Sequence, residues 1–123
     1  MKLLLGLDIG TTAMKIALFD RTGALLAVST QEYDLLTPAP NYVEEKPEVY
    51  WDAFCTGLKD IKSRYTIAKD AQISLAMSAQ GETIFFLDKD GRPLRNAIVW
   101  MDNRAVREAE MLKEAFGNAE CYQ

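Results

Sequence analysis

The chain contains no histidine and only two cysteines, Cys55 and Cys121, in 123 residues. The first absence removes imidazole acid/base chemistry and imidazole metal ligands. The second argues against a disulfide framework or a zinc site, because the two thiols are far apart and no C-x-x-C occurs; a cytoplasmic, reducing compartment fits best. Basic charge is short as well: 14 Lys and Arg stand against 18 Asp and Glu, with a net charge of −4 and no basic cluster. A nucleic-acid partner is therefore not expected, since binding one rests on neutralising its phosphates. No apolar run is long enough to span a bilayer. Met1-Lys2-Leu3-Leu4-Leu5 resembles the start of a signal peptide, but Asp8 interrupts it and no small-residue cleavage site follows, so no membrane partner is expected either. The G-x-x-x-x-G-K-[ST] and G-x-G-x-x-G patterns are missing, which excludes a P-loop and a Rossmann fingerprint. There is no internal repeat, low-complexity tract or linker.

What is present is a composition suited to one folded domain, 49% hydrophobic and 26% charged. The most informative stretch is Leu5-Gly6-Leu7-Asp8-Ile9-Gly10-Thr11-Thr12-Ala13-Met14-Lys15. An apolar run ends in an acid, a glycine and two threonines, and a second apolar run follows at once. Gly10 permits positive φ and lets a phosphate approach the backbone. Successive N–H groups in such a turn form an anion-holding nest. Thr11 and Thr12 add hydroxyls, and Lys15 adds a point charge. Asp8 repels a bare phosphate, so its natural partner is Mg²⁺, directly or through water. The same residues also suit a plain hairpin with no ligand.

Along the chain, residues 3–9, 14–19 and 24–30 read as strands, with Asp20-Arg21-Thr22-Gly23 as a turn between the last two. The result is an antiparallel meander. Residues 37–41 form a proline-rich loop. Residues 44–47 read as a helix start, with Pro47 in the first turn. Trp51, Phe54, Leu58, Ile61 and Tyr65 then recur at helical spacing, giving an amphipathic helix to about Arg64 that Gly57 weakens. The Trp51/Phe54 stripe reads as core packing. Residues 72–78 read as a fourth strand, reached through a helix and so parallel to the first. Residues 83–87 and 97–100 read as two more strands about the Asp88-Lys89-Asp90-Gly91 turn. Ala105, Ala109, Leu112 and Phe116 mark a second helix, with Asp102 or Asn103 as its N-cap and Gly117 at its end. A helix between strands argues an α/β fold. Residues 118–123 carry no stop signal, which reads as the front part of something longer.

Two further constellations carry polar chemistry. Ser78-Ala79-Gln80-Gly81-Glu82-Thr83 lies at the carboxyl end of the fourth strand, where α/β sheets collect ligands. Gln80 donates and accepts, Glu82 accepts, and Thr83 offers a hydroxyl, the mixed set that a polyol needs. A polar connecting loop is the plainer alternative. In Trp100-Met101-Asp102-Asn103-Arg104, the indole offers a flat apolar face and one donor, while Asp102 and Arg104 can pair and hold the loop. A core tryptophan followed by a helix cap would look the same.

In this order the three constellations resemble the N-terminal part of the FGGY carbohydrate kinases. Asp8-Ile9-Gly10-Thr11-Thr12 with Lys15 is similar to the family's first phosphate motif, 78–83 to its sugar-contact loop, and 98–104 to its W-x-D-x-R segment. Glu45-Lys46-Pro47 and Trp51 sit where the family has its Glu-x-x-Pro and Trp. The first motif alone is shared with actin, heat-shock chaperone and hexokinase relatives; the set of three is more specific. The resemblance implies an actin-like (ribonuclease H-like) ATPase fold, with 1–123 as an incomplete first domain and a second domain beyond it. It implies ATP and Mg²⁺ as cofactors and a sugar or polyol as substrate. Asp8 would order the metal, and Gly10, Thr11, Thr12 and Lys15 would face the phosphates. Gln80, Gly81, Glu82, Thr83 and Trp100 would form the substrate wall, supported by Asp102 and Arg104. Gln-Gly-Glu-Thr at 80–83 is closer to the glycerol-kinase loop than to the xylulokinase loop, but it lacks the former's arginine. The catalytic base lies beyond Gln123 in the family, so this chain is expected to show no turnover by itself. An exposed apolar sheet edge, with self-association and a dimer in the full-length protein, is also expected. Two rival readings remain: a non-sugar actin-like ATPase, and a non-catalytic sugar- or nucleotide-binding half-site.

Overall fold

The computed structural model describes residues 1–117. Cys121 and the expectation for 118–123 lie outside the described residues. Strands β1 (Lys2–Ile9), β2 (Ala13–Asp20) and β3 (Leu25–Glu32) form the meander. β4 (Glu44–Glu45) precedes helix α1 (Glu48–Arg64), and β5 (Gln72–Ala79), β6 (Ala97–Ile98) and helix α2 (Val106–Phe116) follow. One sheet has the order β3-β2-β1-β5, and β4 pairs with β6 in a second. β1 runs antiparallel to β2 and parallel to β5, as the intervening helix requires.

Alternation along the strands decides the two faces. Leu3, Leu5 and Leu7 of β1, with Met14, Ile16 and Leu18 of β2, are buried on one face beneath α1, whose Ala53 and Ile61 complete the core. Gly57 does more than weaken α1. A Cβ there would lie 2.6 Å from Ile16 Cδ1, so the missing side chain lets the helix settle on β2. The opposite face carries Leu4, Gly6, Asp8, Lys15, Ala17 and Phe19. β5 is exposed along its whole length, presenting Ile73, Leu75 and Met77 at a sheet edge that is free among the described residues.

Four expectations change. Residues 83–87 and 97–100 do not pair as a hairpin: only Ala97–Ile98 is a strand, and its partner is Glu44–Glu45. A single bridge, Ile84 to Ile98, joins the two segments, and Leu87 bridges Pro93 within the connection between them. The turn between them does form, because Asp88 Oδ1 accepts the N–H groups of Asp90 and Arg92 and Gly91 takes φ 78°. Residues 44–45 are therefore strand, not helix start; Pro47 is the N-cap of α1. Neither Asp102 nor Asn103 caps α2. Ala105 occupies that position without a side-chain bond, since the Asp102 carboxylate is held elsewhere. Trp51 is 67% exposed rather than core, because it lies over the uncovered β5 side, while Phe54 beside it packs against the core.

Candidate functional site

The β1–β2 turn is tightly drawn. Gly10 N–H donates to Ala13 O at 2.9 Å, and Tyr33 N–H donates to Thr12 O at 3.0 Å. The Tyr33 hydroxyl donates to Gly10 O at 2.5 Å. Gly10 does not adopt positive φ, which corrects the reason for its presence. A Cβ there would sit 2.9 Å from Ala13 O, so close approach within the turn is what demands glycine. Its own N–H is consumed in the turn. Among the described residues, the N–H groups of Thr11 and Thr12 and the Thr12 hydroxyl have no partner and remain available to an anion.

Asp8 and Lys15 are directly opposite one another across β1 and β2, and Ser78 is opposite Asp8 across β5. The three share the sheet face away from α1 and line one open cleft with Gly6 and Ala17. Neither charge makes an ion pair among the described residues. Within those residues no cluster of three metal-ligating side chains occurs. Mg²⁺ is usually held by one or two carboxylates plus substrate phosphates and water. An exposed Asp8, unpartnered among the described residues and two residues before the turn that carries the free N–H donors, fits that kind of site.

At the end of β5, Gln80 N–H donates to Ile9 O at 2.8 Å, tying the second constellation to the first. Gln80 Nε2 donates to the Tyr50 hydroxyl at 2.9 Å, and that hydroxyl lies 3.4 Å from Glu45 Oε2. Glu45 is 0% exposed. Burial pushes its carboxyl up to about 7, against the Tyr50 hydrogen bond, with the Asp34 charge adding to the rise. Burial likewise raises the Tyr33 phenol to about 12, and pushes Tyr50 up further still. Glu45 Oε1 and Gln80 Oε1 are buried with no partner among the described residues. Gly81 and Glu82 are exposed, and Glu82 is held at φ 63°, a region a glutamate seldom occupies.

The third constellation is joined to both others. The Trp100 indole Nε1–H donates to Thr11 Oγ1 at 2.9 Å, and Trp100 N–H donates to Thr83 Oγ1 at 3.2 Å. Gln80, Gly81, Glu82 and Trp100 line one shallow cleft of about 390 Å³. Behind it, Arg104 grips Asp102 with two hydrogen bonds, of 2.8 and 2.7 Å, and donates a third to Glu44 at 2.8 Å. Asp102 also accepts the Val43 N–H at 2.6 Å. The guanidinium holds the Asp102 carboxyl well below the usual carboxylate range. The Arg104 guanidinium carbon also lies 3.9 Å above the Tyr42 ring centroid.

Sequence reasoning passed over Tyr33, Tyr50 and Glu44, and gave Glu45 no role of its own. A signal existed: Tyr50 extends the Phe54, Leu58 and Ile61 stripe by one turn, and a polar-tipped residue on an apolar stripe asks for a partner.

Residues 3–123 match the N-terminal domain of the FGGY family of carbohydrate kinases. The chain belongs to that family. A glycerol kinase of Thermococcus kodakarensis is 35% identical over 116 residues, 94% of this chain and 23% of its own length. A xylulose kinase of Staphylococcus xylosus is 31% identical over 117 residues, 95% of this chain and 24% of its own. Among solved structures, a gluconate kinase from Lactobacillus acidophilus superposes on 98% of this chain and 24% of its own, with TM-score 0.87 and 29% identity. The α/β arrangement is thus a partial actin-like ATPase domain, as FGGY kinases have. The chain spans about a quarter of the length of the relatives it matches.

Proposed function

We propose that the protein carrying this chain transfers the γ-phosphoryl group of ATP to a hydroxyl of a sugar or polyol, and that residues 1–123 supply one wall of both sites. The observation that carries this reading is the Trp100–Thr11 hydrogen bond at 2.9 Å, which joins the wall of the substrate cleft to the phosphate turn. Phosphoryl transfer depends on holding two reactants in line, so a shared wall is the feature to look for.

Each residue then has a task. The Thr11 and Thr12 N–H groups, the Thr12 hydroxyl and Lys15 hold phosphate oxygens. Asp8 holds Mg²⁺, which when bound neutralises phosphate charge. Glu82 accepts hydroxyl hydrogen bonds in the cleft, and the Trp100 face packs on C–H groups; its N–H is already engaged by Thr11. Gly81 leaves the cleft open, Thr83 fixes the Trp100 backbone, and Asp102 with Arg104 braces the loop. Gln80 anchors the loop's first residue. The base that takes the hydroxyl proton lies outside these residues, as does a second domain that closes over the nucleotide. The low cysteine count supports a cytoplasmic setting, and the free β5 edge supports self-association, as a dimer in the full-length protein.

The test is ADP release by the full-length protein with Mg·ATP and a panel containing glycerol, xylulose and gluconate. Strong stimulation by one of them is expected, and Glu82→Ala should raise the KM for that substrate more than the KM for ATP. ADP release that ignores every polyol would instead support a non-sugar ATPase. Turnover by residues 1–123 alone would overturn the division of labour.

A further inference from the structure

Glu45 has no task in that scheme, yet it is the most unusual side chain in the molecule. It is wholly buried, and its only polar partner among the described residues is the Tyr50 hydroxyl. Tyr50 is locked in place by edge-on rings on both sides, Tyr33 at 5.3 Å and Phe85 at 5.2 Å between centroids. Its hydroxyl is the acceptor for Gln80 Nε2 at 2.9 Å. Tyr33, on the far side of the stack, donates to Gly10 O in the phosphate turn. Thus the Glu45 carboxyl, the Tyr50 phenol and the Gln80 amide form one hydrogen-bonded line to the first residue of the substrate loop, and the Tyr33 ring packs against that line while its hydroxyl is bonded to the phosphate turn.

A hydroxyl has one proton to give. With Gln80 Nε2 donating to it, the Tyr50 proton is free to point at Glu45 Oε2, and Glu45 is the acceptor that fixes this direction. The direction matters at the other end. It sets which face of the Gln80 amide meets Tyr50 and therefore which is turned the other way. In the structure that second atom is the carbonyl Oε1, which is buried without a partner among the described residues. An apolar residue at 45 would leave the Tyr50 proton undirected and the amide free to flip.

We propose that Glu45 is a positioning residue for the substrate loop, acting through Tyr50 to hold the Gln80 amide in one orientation. The proposal rests on the polyol-kinase reading. Burial of Glu45 keeps its carboxyl poised near neutral pH, where it can change between acceptor and donor. The groups facing it are Tyr50 from α1, and Tyr33 and Asp34 from the segment after β3; Gln80 is next in line. Protonated Glu45 competes as a donor for the Tyr50 oxygen and loosens the amide.

The test uses the full-length protein and the variants Tyr50→Phe, Glu45→Gln and their combination. Tyr50→Phe keeps the ring stack and removes the relay. The KM for the polyol should rise about five- to tenfold, the size of one neutral hydrogen bond, with the KM for ATP unchanged. In the Phe background Glu45→Gln should add nothing, because its effect passes through the missing hydroxyl. Wild type should show a polyol KM that rises as pH falls through about 7, and Glu45→Gln should abolish that slope. Additive effects, or a slope that survives in Glu45→Gln, overturn the relay. A readout independent of turnover comes from ¹⁵N-glutamine labelling. The Gln80 side-chain amide, identified by its loss in Gln80→Ala, should exchange slowly with water in wild type and fast in Tyr50→Phe. Unchanged exchange overturns the relay whether or not a polyol is phosphorylated. Absence of turnover with a protected amide overturns only the kinase reading.

Discussion

The Trp100 indole N–H is bound to Thr11 Oγ1 at 2.9 Å, so two residues 89 apart in the chain meet at the centre of the site. Each looked from the sequence like a ligand contact in its own right. Instead Thr11 accepts the indole N–H and keeps only its hydroxyl proton to donate, and Trp100 keeps only its flat face for a ligand. Thr11→Val and Trp100→Phe should therefore not act independently on kcat/KM. A double-mutant cycle should give a coupling of about 1 kcal/mol, the net worth of a neutral hydrogen bond. Strictly additive losses would show the bond to be without consequence.

Asp8 should separate chemistry from folding. Its side chain is exposed and makes no hydrogen bond among the described residues, so Asp8→Ala should leave the circular dichroism and melting temperature nearly unchanged. If Asp8 holds the metal as proposed, turnover of the full-length protein should fall by about 10²-fold or more in this variant. Full activity in this variant would reject the metal role.

The glycine in α1 gives an opposite forecast from the one helix propensity suggests. Gly57→Ala improves propensity by about 1 kcal/mol. It also drives a methyl to 2.6 Å from Ile16 Cδ1 in a close-packed core. Overpacking costs about 1–3 kcal/mol, so the denaturant midpoint should fall. Ile16→Val, which removes the clashing methyl, should recover part of the loss. A midpoint that rises in Gly57→Ala would show that the helix shifts freely.

These cases mark what could be read from the sequence. The meander, α1 to Arg64 and the parallel return of β5 follow from periodicity and turn chemistry, which act over neighbouring residues. The three polar constellations were legible for the same reason, as short runs of suitable side chains. What joins them was not: Trp100 to Thr11, Gln80 to Tyr50 and Arg104 to Glu44 are partners far apart in sequence. Residues 83–87 went wrong because β-propensity says nothing about which strand is nearest, and Glu44–Glu45 took Ala97–Ile98 first. Trp51 went wrong because an apolar stripe predicts a face to be covered, and β5 leaves that side of this chain open.

Glu45 should give stability an unusual pH dependence. Its carboxyl moves from its ordinary 4.5 to about 7 in the folded chain. The folded state thus holds this proton more tightly than the unfolded state. The contribution is fully present below about 4.5 and is lost as pH rises through about 7. The effect is on the order of 3 kcal/mol at most. Asp102 and Glu44, both depressed by Arg104, act in the opposite sense at low pH, so the comparison must be between wild type and Glu45→Gln. Stability of the variant relative to wild type should rise between pH 5 and 8. A difference that does not change with pH would place the Glu45 carboxyl at its ordinary value.

The free edge at β5 should make this chain associate with itself. The strand presents an unpaired backbone edge, and Ile73, Leu75 and Met77 stand exposed beside it, with Trp51 and Phe54 on the flank. An exposed, apolar, unprotected edge of eight residues is a template for pairing with another strand. Sedimentation velocity of residues 1–123 should show an average mass that climbs with concentration. Met77→Lys places a charge on that edge without touching the buried core, so it should return the chain toward the monomer. A monomer that persists in the unmodified chain at every concentration would mean that twist, rather than charge, already protects the edge.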